Sequence, residues 1–201
     1  MLQQKAFARV TAVVLASGSP RRRELLQHVL PDGINFVVQP SSFAEDLPKG
    51  DDPAEYCAQT AFRKGEDVAK LIGDEAQLII SADTVVVADG NVLEKPRDAA
   101  HATEMLRTLS GATHRVVTGC ALFRGGRRKS FYETTEVTFS ELSDETIAAY
   151  VASGEPYDKA GGYGIQGSAG AFVSGISGCY HNVVGLPMNR LAREIAAFLD
   201  E

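Results

Sequence analysis

The run Leu78-Ile79-Ile80-Ser81-Ala82-Asp83-Thr84-Val85-Val86-Val87-Ala88 constrains the fold more than any other stretch of this chain. Its apolar and β-branched residues fit a buried strand. Asp83 stands in the middle of it. An ionised carboxylate there is costly unless it is paired or bound to a metal. A solvent-facing place at a strand edge is the plainer alternative. A metal-bound or base-acting carboxylate accounts better for a charge in such surroundings.

Around this strand, apolar segments alternate with capped helical ones. Thr11–Leu15 reads as a strand, and Ser19-Pro20 opens a helix through about Leu30. Ile34–Val38 reads as a strand, followed by a polar loop over Ser41–Asp52. Asp52 as N-cap and Pro53 at the first helical position begin a second helix. Its stripe is Cys57, Ala61, Lys64, Val68 and Leu71. Asp89-Gly90 is a tight-turn signal. Asp98 caps a third helix with Ala102, Met105, Leu106 and Leu109 on one face, stopped at Gly111. Arg115–Phe123 and Ser130–Phe139 predict a hairpin turning at Gly125-Gly126. Ser143 caps a further helix ended by Gly154, a Gly-rich stretch follows, and Met188–Leu199 closes the chain as a helix. Strands interspersed with helices, plus a hairpin, indicate an α/β fold with a mixed sheet.

The chain has 201 residues, which fits one domain or one core split into two lobes around a cleft. No apolar run approaches the roughly 18–20 residues that span a bilayer, so no membrane partner is expected. Cys57, Cys120 and Cys179 are widely spaced and form no CxxC pair. That suits a reducing compartment, and a cytoplasmic location is the expectation. A net charge of −6 argues against broad nucleic-acid binding, so any polyanion must meet a local basic cluster.

Such a cluster follows the first strand, in Ala16-Ser17-Gly18-Ser19-Pro20-Arg21-Arg22-Arg23. Three arginines fill a helix's first turn, where the partial positive charge of the N-terminus disfavours cations. The chain respects that rule elsewhere, placing Asp144 and Glu145 after Ser143. A bound phosphate would explain the exception, because free N–H groups, Ser hydroxyls and Arg forks would all face it. A solvated basic patch is the alternative. The GxxxxGK[ST] pattern of a Walker motif is absent.

Lys64 lies in the apolar stripe of its helix, a pattern that a snorkelling side chain commonly explains. Lys95, in Leu93-Glu94-Lys95-Pro96, would mean little alone. The glycines of Asp158–Gly167 imply positive φ angles or close backbone approach, or a plain flexible loop. Gln166 within it carries both donor and acceptor and suits a base edge. His28, His101, His114 and His181 show no metal-ligand spacing and read as helix or loop residues. The cysteines lie in no nucleophile motif, and Tyr132, Tyr150, Tyr157, Tyr163 and Tyr180 read as packing residues.

Taken together these segments resemble the Maf family. Leu15–Arg22 is similar to its N-terminal signature and Ser81–Val86 to its central acidic strand. Leu93–Pro96, Leu109–Gly111, Gly154–Gln166 and Asn182–Pro187 match it in the same order, over nearly the whole of 1–201 as a single Maf-like domain. The resemblance implies a two-lobed α/β fold like that of inosine triphosphate pyrophosphatases, with the active site in the cleft. It implies hydrolysis of a nucleoside triphosphate to monophosphate and pyrophosphate with a divalent cation, Mg²⁺ or else Mn²⁺ or Co²⁺. Position by position, Ser17, Arg21, Arg22, Lys64 and Lys95 would hold phosphates. Asp83 would take a proton from the attacking water, and Glu45 would join Asp83 at the metal. Within the family Arg21, Thr84 and Gln166 fit the pyrimidine pattern, implying dTTP or UTP, with CTP or modified pyrimidine nucleotides as further candidates. The 7-methyl-GTP pattern of Ser-Pro-Trp, Ser-Asp-Gln and a Glu-Gly loop differs at all three places.

Two rivals belong to other classes. A non-catalytic nucleotide-binding regulator of cell division would bind nucleotide without releasing pyrophosphate, and retention of Asp83 with the basic set speaks against it. A nucleic-acid-binding module resting on Arg21–Arg23 would need a broader basic face. The nucleoside triphosphate is thus the expected partner, with no stable nucleic-acid partner. A homodimer is compatible with the sequence.

Overall fold

The computed structural model describes residues 4–45, 47–48, 50, 52–75 and 77–200. Parts of the polar loop, Asp46, Lys49 and Asp51, lie outside the described residues. Strands β1 (Ala12–Leu15), β2 (Phe36–Val38), β3 (Gln77–Ala88), β4 (Asn91–Leu93), β5 (Thr113–Arg124), β6 (Arg127–Phe139) and β7 (Val173–Ser177) form one mixed sheet. Its order is β2-β1-β3-β5-β6-β7, and β4 pairs with β3. The helices are α1 (Pro20–Val29), α2 (Pro53–Ile72), α3 (Ala99–Leu109), α4 (Asp144–Ala152), α5 (Tyr180–Val184) and α6 (Met188–Asp200). Among the described residues no helix is long and apolar enough to cross a membrane.

The chain divides into two compact units. The first comprises Met1–Asp83, Thr118–Glu133 and Gly185–Glu201. Its frame is β1 between β2 and β3, all parallel, with Leu15 opposite both Val38 and Ile80. The chain leaves β1 through α1 to reach β2 on one side, then returns through α2 to β3 on the other. Right-handed crossovers in opposite directions place α1 and α2 on opposite faces of the sheet. This is a topological switch point, where the carboxyl ends of neighbouring strands leave room for a ligand.

Helix α2 forms where Asp52 accepts from the Ala54 N–H (2.9 Å) and Pro53 presets the first turn. Its face holds Cys57, Ala61 and Val68 as expected, but Leu71, one residue from the helix end, is 67% exposed. Val68 and Ala69 pack on Val14, Ala16, Ile79, Ala121 and Phe123. Two glycines let this helix come unusually close. A Cβ on Gly65 would stand 2.2 Å from the Phe123 ring, and one on Gly119 would stand 2.4 Å from the Cys57 carbonyl oxygen. The Ser81 hydroxyl donates to the Ala61 carbonyl across the same interface (2.6 Å).

The second unit comprises Thr84–Val117 and Thr134–Val184. Asp89 and Gly90, at φ 49° and 77°, turn β3 back into β4, a strand the turn signal did not by itself reveal. Helix α3 is capped by Asp98 (2.8 Å to the His101 N–H), and its expected face is buried, with Ala102, Leu106 and Leu109 in one cluster with Val137, Phe139, Ile147 and Phe172. Helix α4 is capped by Ser143. Two elements here were not legible as such: β7, with serines and a glycine in a half-exposed strand, and the short α5. Of the tyrosines read as packing, Tyr150 and Tyr163 are buried, whereas Tyr132, Tyr157 and Tyr180 are exposed.

His114 is a correction. It belongs to β5 rather than a helix or loop, it is buried, and its Nε2 shares a hydrogen bond with the Tyr163 hydroxyl (2.8 Å). Burial pulls its pKa from 6.5 to about 4. Between those values the unfolded chain binds a proton that the folded chain does not, so stability falls as pH drops through this window and levels below it. Urea unfolding at about pH 7 and about pH 4.5 should show His114→Gln losing about 2 kcal/mol less than wild type on acidification. A Gly119→Ala variant should be destabilised by about 3 kcal/mol, because the colliding atoms are backbone and cannot swing aside.

Candidate active site

Ser17 lies two residues beyond the end of β1 and is buried. Its Oγ accepts from the Ser19 N–H (3.3 Å) and from Arg22 Nη1 (3.1 Å). Arg22 Nε donates to the Gly185 carbonyl (2.9 Å), so Ser17 and Gly185 both help to fix this guanidinium. Ser19 caps α1, and its hydroxyl accepts from the Arg22 N–H (3.4 Å). Arg21 is half-buried beside it, whereas Arg23 is exposed. The triplet is therefore not a uniform basic patch: Arg22 is turned inward onto Ser17.

Lys64 does not snorkel. Its Nζ donates to Asp83 Oδ1 at 2.7 Å and to Glu45 Oε1 at 2.9 Å. The Lys64 and Asp83 side chains are each 11% exposed, while Glu45 is 46% exposed. Asp83 therefore does not face solvent from a strand edge; it is a buried carboxylate paired with a buried ammonium, which answers the energetic problem it poses in β3. The polar loop that delivers Glu45 is tied to α2 through Asp67. The carboxylate of Asp67 accepts from the Ser41 hydroxyl (2.8 Å) and the Ser42 N–H (2.7 Å), and these bonds hold it below the usual carboxylate range. Glu45 itself sits at φ 55°, a left-handed conformation that costs a non-glycine residue roughly 1–2 kcal/mol.

Cys57, two stripe positions before Lys64 on the same helix, also reaches Asp83. Its Sγ donates to the Asp83 carbonyl (3.2 Å), lies 3.8 Å from Asp83 Oδ2 and accepts from the Gly119 N–H (3.2 Å). Burial pushes the thiol well above its ordinary value and Asp83 adds to that, while the Gly119 N–H and the Arg22 guanidinium oppose it. Sequence reasoning passed over Cys57 because no nucleophile motif surrounds it. Its signal was the shared helical face with Lys64.

The remaining expected residues belong to the second unit. Thr84 is half-buried in β3. Lys95 is exposed, after β4 and before the buried Pro96. Gln166 is exposed in the Gly-rich stretch, which the Gly161 N–H joins to the Glu94 carbonyl beside Lys95 (3.0 Å). No cluster of three or more His, Cys, Asp or Glu capable of holding a metal occurs among the described residues. The pair Glu45 and Asp83 remains. Two carboxylates suit Mg²⁺, which keeps several waters and takes further oxygens from a phosphate ligand.

An α/β sheet with a Ser–Arg helix start and paired carboxylates around one ammonium, near a switch point, belongs to the class of proteins built to receive a phosphorylated ligand. Residues 12–198 match the model of the family described as Maf-like protein, and the chain belongs to that family. It is 45% identical over 186 residues to a dTTP/UTP pyrophosphatase of Exiguobacterium sibiricum, covering 92% of each chain. It is 47% identical over 185 residues to a dTTP/UTP pyrophosphatase of Bacillus cytotoxicus, covering 92% of this chain and 94% of that one. A protein of the same name from Bacillus anthracis is 46% identical over 186 residues, covering 92% of this chain and 95% of its own.

Removing the ammonium should expose how much Asp83 depends on it. Lys64→Met leaves a buried carboxylate unpaired and should lower stability by about 2–3 kcal/mol in urea titration. Adding Asp83→Asn should recover at least about 1 kcal/mol of the summed loss; strict additivity would mean that the pair is not energetically coupled.

Proposed function

We propose that this chain is a nucleoside triphosphate pyrophosphatase of pyrimidine preference, hydrolysing the α–β phosphoanhydride of dTTP or UTP to the monophosphate and pyrophosphate. The observation that carries this reading is Asp83, held buried by Lys64 beside Glu45, in a chain whose close relatives bear that activity in their names. Residues 1–201 are read as a single Maf-like domain, in keeping with a family match that runs over residues 12–198.

Ser17, Arg21, Arg22, Lys64 and Lys95 bind the phosphates. The Arg22 guanidinium is already oriented by Ser17 and Gly185, so little side-chain freedom is lost on binding. Asp83 is the base. Its Oδ1 is engaged by Lys64, which leaves Oδ2, in long contact with Cys57, to accept the water proton. The water oxygen bonds to the α-phosphorus as the bond to the bridging oxygen breaks, and that electron pair departs with pyrophosphate. The cationic side chains offset charge that builds on the phosphate oxygens. Glu45 and Asp83 would hold Mg²⁺, or Mn²⁺ or Co²⁺ in its place, which supplies Lewis-acid stabilisation of the phosphates when bound. Thr84 and Gln166, with Arg21, select the pyrimidine, Gln166 through its amide donor and acceptor. The free state of Cys57, Cys120 and Cys179 fits action in the cytoplasm.

The test pairs pyrophosphate release from dTTP, UTP, CTP and GTP with an Asp83→Asn variant. Asparagine keeps the shape of the side chain and loses its basicity, so kcat should fall by roughly 10²–10⁴-fold while nucleotide binding, followed by calorimetry, largely survives. Near-normal kcat in a folded variant would remove Asp83 from the reaction.

A further inference from the structure

Gln166 stands at the tip of a tight turn. The Gly167 N–H closes it onto the Gly164 carbonyl (3.0 Å), with Ile165 packed against the core of the second unit and Gln166 exposed. Such a turn on a Gly-rich stretch has no stiffness of its own. Both of its legs are nevertheless held by side chains from a single short segment. On the entering leg, the Gly164 N–H donates to the Tyr150 hydroxyl (3.2 Å). On the leaving leg, the Ser168 N–H donates to Glu155 Oε2 (3.2 Å). The two holders are themselves joined, because the Tyr150 hydroxyl donates to Glu155 Oε1 (3.1 Å).

The glycines explain why the turn can wrap this carboxylate. A Cβ on Gly167 would lie 2.1 Å from Glu155 Oε1, and one on Gly164 would lie 2.4 Å from Lys159 Cε. The Lys159 ammonium in turn donates to the Glu155 carbonyl (2.6 Å), fixing the backbone from which the carboxylate projects. Tyr150 is buried and stacks edge-on against Phe172 (5.1 Å between centroids), so the clamp is anchored in the core. Burial keeps its hydroxyl protonated well beyond the ordinary tyrosine range, and it remains a donor to Glu155.

Resting on the pyrophosphatase reading above, we infer that Glu155, with Tyr150, is a positioning residue for base selection: it fixes the 164–168 turn and so orients Gln166 toward the pyrimidine edge. None of Ser17, Arg22, Lys64 or Asp83 belongs to this clamp. Its loss should therefore blur selectivity and spare the phosphate chemistry. A carboxylate is required because two donors face its two different oxygens. An amide at this place turns an NH₂ group toward one of them.

The experiment compares wild type, Glu155→Gln and Tyr150→Phe in steady-state hydrolysis of UTP and GTP, with amide hydrogen exchange measured without nucleotide. Exchange at Gly164 and Ser168 should quicken in the variants. KM for UTP should rise about tenfold with kcat within about threefold, and the UTP-over-GTP ratio of kcat/KM should fall about tenfold. Tyr150→Phe removes a single hydroxyl and carries the same expectation should Glu155→Gln fail to fold. An active wild type whose folded variants keep its ratio, or lose kcat equally on both nucleotides, overturns the inference alone. A wild type that releases no pyrophosphate from any triphosphate overturns the parent reading and this inference with it.

Discussion

One ammonium group, Lys64 Nζ, allows the central strand to carry a charge. β3 is buried along nearly its whole length, and Asp83 is tolerable there because a cation stands 2.7 Å from it. The cation can stand there only because α2 lies very close to the sheet. That closeness rests on residues with no chemistry of their own: Gly65 against Phe123, Gly119 against the Cys57 backbone, and Ser81 donating to Ala61. The site and the core packing are thus one problem. A methyl group at Gly119 would push away the helix that carries both Lys64 and Cys57.

The same dependence explains what could be read in the sequence and what could not. The caps at Asp52, Asp98 and Ser143 are local chemistry within a few residues, and each lies where the sequence places it. The anomaly of Asp83 was legible because an apolar run announces its own interruption. Its resolution was not, since Lys64 is far away in sequence and its helical pattern is equally that of a snorkelling side chain. His114 was unreadable for the same reason, because only the fold supplies Tyr163 as its partner. β7 escaped because Val173-Ser174-Gly175-Ile176-Ser177 has weak strand propensity and owes its pairing to β6. Leu71 misled in the opposite direction, since the face of α2 that packs on the core runs through Val68 to Ile72 and leaves Leu71 pointing away from it.

The Gly-rich stretch shows how composition can mislead about rigidity. Its glycines suggest freedom, yet Gly161 leaves no room between itself and Val86, and Gly164 and Gly167 are pressed against Lys159 and Glu155. Glycine here serves close approach, and backbone hydrogen bonds donated to Tyr150 and Glu155 replace the stiffness that side chains would have given. Residues chosen to look flexible in sequence build a well-held turn in space.

The unequal exposure of the two carboxylates on Lys64 gives the site a direction. The Asp83 contact is short and buried on both sides, so its electrostatic energy is little screened. The Glu45 contact is longer and 46% exposed on the carboxylate side, and exposed ion pairs are worth about 0–1 kcal/mol. Glu45 also holds an unfavourable left-handed backbone, which offsets part of that small gain. On the proposed reading, a phosphate competing for Lys64 would displace the weaker partner: Lys64 would keep Asp83, and Glu45, its charge uncompensated, would join Asp83 in holding a divalent cation. The two ion pairs hold both carboxylates on one ammonium, and their unequal strength sets which of them would leave it first.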